Sequence, residues 1–270
     1  MAQLLDTPIL EVKGLSCGYG KHPILEDISF RIEAGSSASL LGPNGVGKTT
    51  LFKTILGFLP RLSGEVLLEG HETSSWSRKE YAQAVAYVPQ AHETAFAFTV
   101  HDLVLMGRTP ALTSLATPGA EDERICCEVI DEMGLSHLAH RPCTELSGGE
   151  LQMALIARAL VQMPRLLIMD EPCANLDLGN QTRVLEKMSQ LVGEGLAMLV
   201  CTHDPNHAFF LDDNVICLGR DGRTAMGQTR SVLDAATLKW LYGTPIGIGT
   251  VSSDEGTATA CAPVHPASQR

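Results

Sequence analysis

The run Gly42-Pro43-Asn44-Gly45-Val46-Gly47-Lys48-Thr49 gathers glycines, a lysine and a hydroxyl at fixed spacing. It fits GxxxxGK[ST], after an apolar strand-like stretch and before a helical one, which is the context that spacing requires. Glycines are needed because side chains would block the backbone N–H groups from converging on phosphate oxygens. The helix that follows adds the partial positive charge of its N-terminus. Lys48 supplies a mobile cation for β- and γ-phosphates, the Thr49 hydroxyl can ligate Mg²⁺, and Thr50 is grouped with them as nucleotide-binding. A plain strand-to-helix turn would use the glycines but needs neither the lysine nor the hydroxyl.

A second concentration of chemistry is Leu166-Leu167-Ile168-Met169-Asp170-Glu171-Pro172, an apolar run with two carboxylates at its end. A strand buried on both faces explains the apolar run. It does not explain adjacent acids at its C-terminal edge, where α/β sheets place ligands. Asp170 suits a Mg²⁺ ion from just outside its directly bound ligands. Glu171, on the other face of the strand, suits polarising a water for attack on a γ-phosphate. A solvated acidic turn is the plain alternative.

These groups must be positioned by strands and helices, and the pattern predicts both. Short strands are expected at 9–15 and 28–32, around a Gly/Pro-containing connection at 18–23. Ser37–Leu41 runs straight into the glycine-rich segment, and Leu51, Ile55, Leu56 and Leu59 then recur at helical spacing. Further strands are predicted at 65–68 and Val85–Val88. From about residue 100 the character turns helical, over 100–106, 121–133 and 150–161. Strands return at Leu166–Asp170, 197–201 and Asn214–Leu218, and an amphipathic helix carries Leu178, Thr182, Leu185, Met188 and Leu191 on one side. Strands alternating with helices imply an α/β fold, a mainly parallel sheet covered on both faces. The helical block 100–164 is expected to be an inserted subdomain. Residues 244–270, rich in Gly, Ser, Thr, Ala and Pro, are expected to be a flexible tail.

Composition narrows the function classes. The 270 residues are 44% apolar and carry a net charge of −11, which is globular and lacks the basic footprint of a sequence-independent nucleic-acid binder. No stretch approaches the roughly 18 uninterrupted apolar residues of a membrane-spanning helix. Residues 1–7 show no basic region followed by an apolar stretch, so no secretory signal is expected. The eight cysteines include no CxxC pair, which favours reduced thiols in a cytosolic setting. Cys17, Cys201 and Cys217 sit in strand-like runs and read as small buried core residues.

Leu146-Ser147-Gly148-Gly149-Glu150 opens the helix at 150–161. Ser before two Gly at a helix start is another anion-receptive arrangement, although a plain N-cap accounts for Ser147 equally. Taken with the two earlier motifs, this segment resembles the signature, LSGGE or LSGGQ, of the ATP-binding cassette (ABC) ATPases. The likeness covers about residues 9–230, with separated motifs in the family's order. It implies a P-loop nucleoside triphosphatase fold with an antiparallel β part near the N-terminus and an ATPase domain spanning 1–243.

The resemblance implies further roles, residue by residue. Tyr19, in Gly18-Tyr19-Gly20, is similar to the aromatic residue that stacks on adenine, or it is an ordinary turn tyrosine. Gln90, after Tyr87-Val88-Pro89, resembles the glutamine that senses Mg²⁺ and the attacking water. Asp177 resembles an aspartate that contacts the opposing subunit, or it caps the next helix. His203 resembles the histidine that hydrogen-bonds the γ-phosphate, or it is a structural loop residue. Cys173-Ala174-Asn175 and Met153 depart from the commoner family residues without removing a catalytic group. The family implies two cassettes packed head to tail, each phosphate loop facing the other copy's Ser147, Gly148 and Gly149, with ATP between them.

Leu105-Met106-Gly107-Arg108-Thr109-Pro110, Leu176-Asp177-Leu178-Gly179-Asn180-Gln181 and His203-Asp204-Pro205-Asn206-His207 resemble the branch that energises metal-chelate importers. That branch takes up iron–siderophore complexes, haem, cobalamin and, in some members, molybdate or tungstate. It implies permease subunits in the membrane, a substrate-binding protein beyond them, and a peripheral place on the cytoplasmic face. Ala95-Phe96-Ala97-Phe98 is expected to receive a short helix of the permease, with core packing as the equal alternative. An exporter cassette and a soluble, non-transport ABC ATPase are the rivals.

Overall fold

The computed structural model describes residues 7–90, 98–112 and 116–264. The chain begins with the antiparallel pair β1 (Leu10–Tyr19) and β2 (His22–Ile32), followed by β3 (Ser37–Leu41) and helix α1 (Lys48–Ile55). Strands β4 (Ser63–Leu68) and β5 (His71–Glu72), helix α2 (Arg78–Ala84) and β6 (Val85–Val88) lead to a helical stretch. That stretch holds α3 (Val100–Leu105), α4 (Ala120–Glu132) and α5 (Gly148–Leu160), with short 3-10 turns between them. Then come β7 (Leu166–Asp170), α6 (Leu178–Gly193), β8 (Ala197–Thr202), α7 (Pro205–Leu211), β9 (Asn214–Leu218) and β10 (Thr224–Gln228). Helices α8 (Thr229–Val232) and α9 (Ala235–Tyr242) and strands β11 (Ile246–Ser253) and β12 (Gly256–Pro263) close the described chain.

The central sheet has the order β10-β9-β3-β8-β7-β6, parallel throughout except for β10. Its inner strands are buried along their length except at Asn214, and alternate residues supply two different cores. Leu166 and Ile168 of β7 join a core with α1 and the antiparallel sheet β2-β1-β4-β5, whereas Leu167 and Met169 join one with α3 to α6. Burial on both faces is why these strands read as uninterrupted apolar runs. Helix α1 lies between the two sheets, with Leu51, Phe52 and Ile55 fully covered. The mainly parallel core, the antiparallel N-terminal part and the helices between β6 and β7 are the architecture expected. No helix among the described residues is long and apolar enough to cross a membrane.

Two expectations need correction. The connection predicted at 18–23 is strand: Gly18 pairs with Pro23 and Tyr19 with His22, leaving Gly20 and Lys21 as the turn. The expected flexible tail is also wrong over most of its length. Ile246 to Pro263 form a β-hairpin in register from Ile246↔Pro263 to Ser253↔Gly256. Its composition misleads because the hairpin is mostly exposed, so its ladder holds without a continuous apolar face. It is tied down at one end: Ile246 enters an apolar cluster with Leu41, Phe209, Val215 and Leu238. The proposed docking residues Ala95, Phe96 and Ala97 lie outside the described residues. Phe98 lies just inside them and is exposed, and its carbonyl accepts the Cys143 N–H at 2.8 Å.

Candidate active site

Strand β3 delivers the chain to Gly42, and the glycine-rich loop turns it into α1. Gly47 occupies the N-cap of α1 at φ 114°, a region that disfavours any residue with a Cβ, and it caps nothing with a side chain. The first turn holds no acidic residue, so its N–H groups and positive end remain available to an anion. Lys48 is buried, and its ammonium donates to the carbonyl oxygens of Gly42 at 2.6 Å and Pro43 at 3.3 Å. Gly42 and Pro43 thus hold the ammonium by their carbonyls, and neither they nor Val46 lines the cavity beside Lys48.

The carboxylates arrive from β7, the strand two places away across β8. Asp170 ends the strand and is buried. Glu171 is the first residue beyond it, with φ 51°, and its N–H donates to the Cys201 carbonyl at 3.0 Å. That left-handed conformation is costly for a glutamate and aims its carboxylate out of the sheet. His203 follows β8, and its Nδ1 lies 2.7 Å from Glu171 Oε2. The histidine is 57% exposed and the glutamate only 14%, so the pair has one face toward solvent and one toward the protein.

Between these elements is a cavity of about 380 Å³. Its lining includes Asn44, Gly45, Gly47, Lys48, Thr49, Thr50, Gln90, Asp170, Glu171 and His203. Residues separated by as much as 179 positions, from Ile24 to His203, therefore share one space beside a helix N-terminus. Ile24 and Cys201 also line it and were missed as site residues. Ile24 carries no chemical signal, and Cys201 shows only as one apolar position of a buried strand. Burial pushes the Cys201 thiol well above its ordinary range, and the Asp170 charge adds to this, so the thiol is protonated. Burial and then the same carboxylate push the Tyr87 phenol up to about 12.

The other expected residues lie apart. Tyr19 ends β1, half-exposed, and is not among the lining residues. Ser147, Gly148, Gly149 and Asp177 are likewise outside this cavity. Ser147 caps α5: its hydroxyl accepts the Glu150 N–H at 3.3 Å, and Glu150 accepts the Ser147 N–H at 2.7 Å. Asp177 caps α6 by accepting the Asn180 N–H at 2.8 Å. The α5 start packs hard against α6: a Cβ on Gly149 would stand 2.4 Å from the Asn180 amide and 2.9 Å from its Cβ.

The sequence pattern that defines ABC transporters matches residues 25–174, which holds the phosphate loop, Gln90, Ser147–Gly149 and both acids. This chain belongs to the ABC transporter family. It is an ATPase, the ATP-binding subunit of such a transporter. An uncharacterised ABC transporter ATP-binding protein of Haemophilus influenzae is 41% identical over 236 residues, covering 87% of this chain and 90% of that one. The iron(3+)-hydroxamate import ATP-binding protein FhuC of Bacillus subtilis is 36% identical over 234 residues, 86% of this chain and 87% of that one. A solved ABC transporter of proposed metal-chelate type, in an inward-facing conformation, superposes on this ABC ATPase with TM-score 0.85. That pair is 29% identical, with 96% of this chain and 98% of the other covered.

Proposed function

We propose that this ABC ATPase energises import of a metal chelate, of the iron–siderophore type, with Glu171 as the base that polarises the attacking water. The observation that carries the chemistry is the convergence of Lys48, Asp170, Glu171 and His203 on one cavity at the N-terminus of α1. ATP lies with its phosphates on the loop from Gly42 to Thr50, where N–H groups and Lys48 neutralise them without a basic surface. The Thr49 hydroxyl, the Gln90 amide oxygen and the Asp170 carboxylate are hard oxygen donors, the set Mg²⁺ takes. When bound, Mg²⁺ neutralises charge on the β- and γ-phosphates. Glu171 accepts a proton from the water, and His203 holds both Glu171 and the γ-phosphate.

Ser147, Gly148, Gly149 and Asp177 lie outside the cavity, which supports a second copy of the chain as the owner of the phosphates they contact. Tyr19, half-exposed at the end of β1, stacks on adenine. A cleft of about 650 Å³ lined by Leu56, Phe58, Trp76, Tyr81 and Tyr87 supports docking of a permease helix beside α2 and β6. Membrane association is therefore peripheral and through the permease, on the cytoplasmic face, with a substrate-binding protein reached indirectly. The iron–siderophore cargo rests on the likeness to the hydroxamate importer subunit and the metal-chelate type transporter. Haem, cobalamin, molybdate and tungstate are the other cargoes of the same branch.

Glu171→Gln tests the mechanism. The variant should bind ATP, lose about 10²- to 10⁴-fold in kcat, and accumulate as an ATP-dependent dimer by light scattering. Turnover at the normal rate removes Glu171 as the base, and an ATP-bound monomer argues against the shared site. For the cargo, cells without the chain should stop accumulating radiolabelled ferric hydroxamate. Undiminished uptake overturns that assignment.

A further inference from the structure

His203 is held from two sides. Its side chain meets Glu171, while its backbone carbonyl accepts the Tyr242 phenol at 2.9 Å. Tyr242 is the last residue of α9, and burial raises its phenol far above the ordinary range, so it donates at any physiological pH. Three residues after His203, Asn206 of α7 is bonded both ways to the backbone of Cys261 in β12. Its Nδ2 donates to the Cys261 carbonyl at 3.3 Å, and the Cys261 N–H donates to its Oδ1 at 2.8 Å. The amide thus behaves as one residue of a strand and splices α7 to the hairpin. Neither Tyr242 nor Asn206 lines the phosphate cavity.

Between the His203 loop and the hairpin is a separate gap of about 220 Å³. Although α7 and the hairpin share an apolar cluster elsewhere, beside this gap the Tyr242 and Asn206 hydrogen bonds are not surrounded by continuous packing that would make good their loss. The loop between β8 and α7 is short, so a turn of the peptide after His203 swings the imidazole away from Glu171. A misplacement of about 1 Å at a reacting centre is enough to cost roughly 100-fold in rate. We propose that α9 and the β11–β12 hairpin brace the His203 loop, with Tyr242 and Asn206 as positioning residues for ATP hydrolysis. This rests on the reading of His203 as a γ-phosphate contact.

The test is steady-state ATPase activity of the full chain carrying Tyr242→Phe, alone and combined with His203→Ala. Phenylalanine keeps the ring among its apolar neighbours and removes only the hydroxyl. Tyr242→Phe should lower kcat about 5- to 10-fold, the size of one hydrogen bond, with KM for ATP within about two-fold. In the His203→Ala background it should have no further effect. Asn206→Ala should reproduce the kcat loss, with unchanged nucleotide affinity reporting an intact phosphate loop. A slowed His203→Ala beside an unaffected Tyr242→Phe overturns the brace alone. Equal loss from Tyr242→Phe in both backgrounds also overturns it, since the effect then does not pass through His203. A His203→Ala chain with normal kcat overturns the γ-phosphate reading, and the brace falls with it.

Discussion

Two surfaces of this chain carry the residues proposed to contact nucleotide, and they differ in where their polar groups point. Around the phosphate loop, Lys48, Asp170, Glu171 and His203 turn toward a common empty space. At the starts of α5 and α6, Ser147, Glu150, Asp177 and Asn180 satisfy one another within the chain. Folding alone completes the first surface. The second is folded as two capped helix ends, and its proposed part in nucleotide binding depends on what is brought to it. The difference teaches that a motif's residues can be fully employed in local structure and still be exposed to a partner: the N-cap uses the serine oxygen for the Glu150 N–H, while Ser147 and Gly148 remain at the surface.

The strongest way to break this comparison is at Lys48. Its ammonium has two carbonyl partners and no carboxylate among its hydrogen bonds, so it is poised to exchange them for phosphate oxygens. Lys48→Ala should weaken ATP binding by the chain about 10- to 100-fold, the roughly 1.5–3 kcal/mol of a charged hydrogen bond. Isothermal titration with a non-hydrolysable ATP analogue measures it. Unchanged affinity would mean that the loop does not cradle phosphate.

A smaller effect sharpens the other half. Ser147→Ala removes the cap of α5 and should cost about 1 kcal/mol, read as a fall of roughly 2–4 °C in Tm for a domain of this size. ATP affinity of the isolated chain should stay within about two-fold of normal, because the serine is not in the cavity. If affinity falls as it does for Lys48→Ala, the two surfaces are one site within a single chain and the contrast between them is lost.

How much of this was legible depends on the distance over which each feature is determined. Strands β3, β6, β7 and β9 have the predicted bounds, because burial on both faces writes itself as a short apolar run between polar residues. The loop from Gly42 to Thr49 is legible because its backbone needs glycines at fixed places, as the φ of Gly47 shows. The pairing of Glu171 with His203 is different. It comes from the adjacency of β7 and β8, which no spacing between positions 171 and 203 encodes. Likewise, nothing local marks Tyr242, which becomes relevant only when α9 packs with β3, α7 and β9 and brings the phenol to the His203 carbonyl. The β11–β12 hairpin hides for a simpler reason: exposed strands of Gly, Thr, Ser and Ala carry no alternation to read.

The smallest expected effect separates the two regions by pH. Behind the cavity, burial holds the His207 imidazole below its ordinary 6.5, outweighing the pull of Asp204 in the other direction. The ring nitrogen Nδ1 is engaged with the Thr202 hydroxyl at 2.9 Å, and Nε2 has no hydrogen-bond partner among the described residues. The unfolded chain therefore binds a proton at this position before the folded one does. Stability from His207 is complete above 6.5 and is lost as pH falls below that value toward the folded pKa. At the start of α5, bonds from the Ser147 N–H and hydroxyl hold Glu150 below its ordinary 4.5. Its contribution is present above 4.5 and is lost only as pH falls through the lower folded value. Urea midpoints measured from about pH 7 down to about pH 5.5 should thus fall for the natural chain and fall less for His207→Gln, while Glu150→Gln leaves this upper window unchanged. Parallel declines in the natural chain and His207→Gln would mean that the acid sensitivity does not arise behind the cavity. A flattened upper window in Glu150→Gln would assign it to the capped helix ends instead.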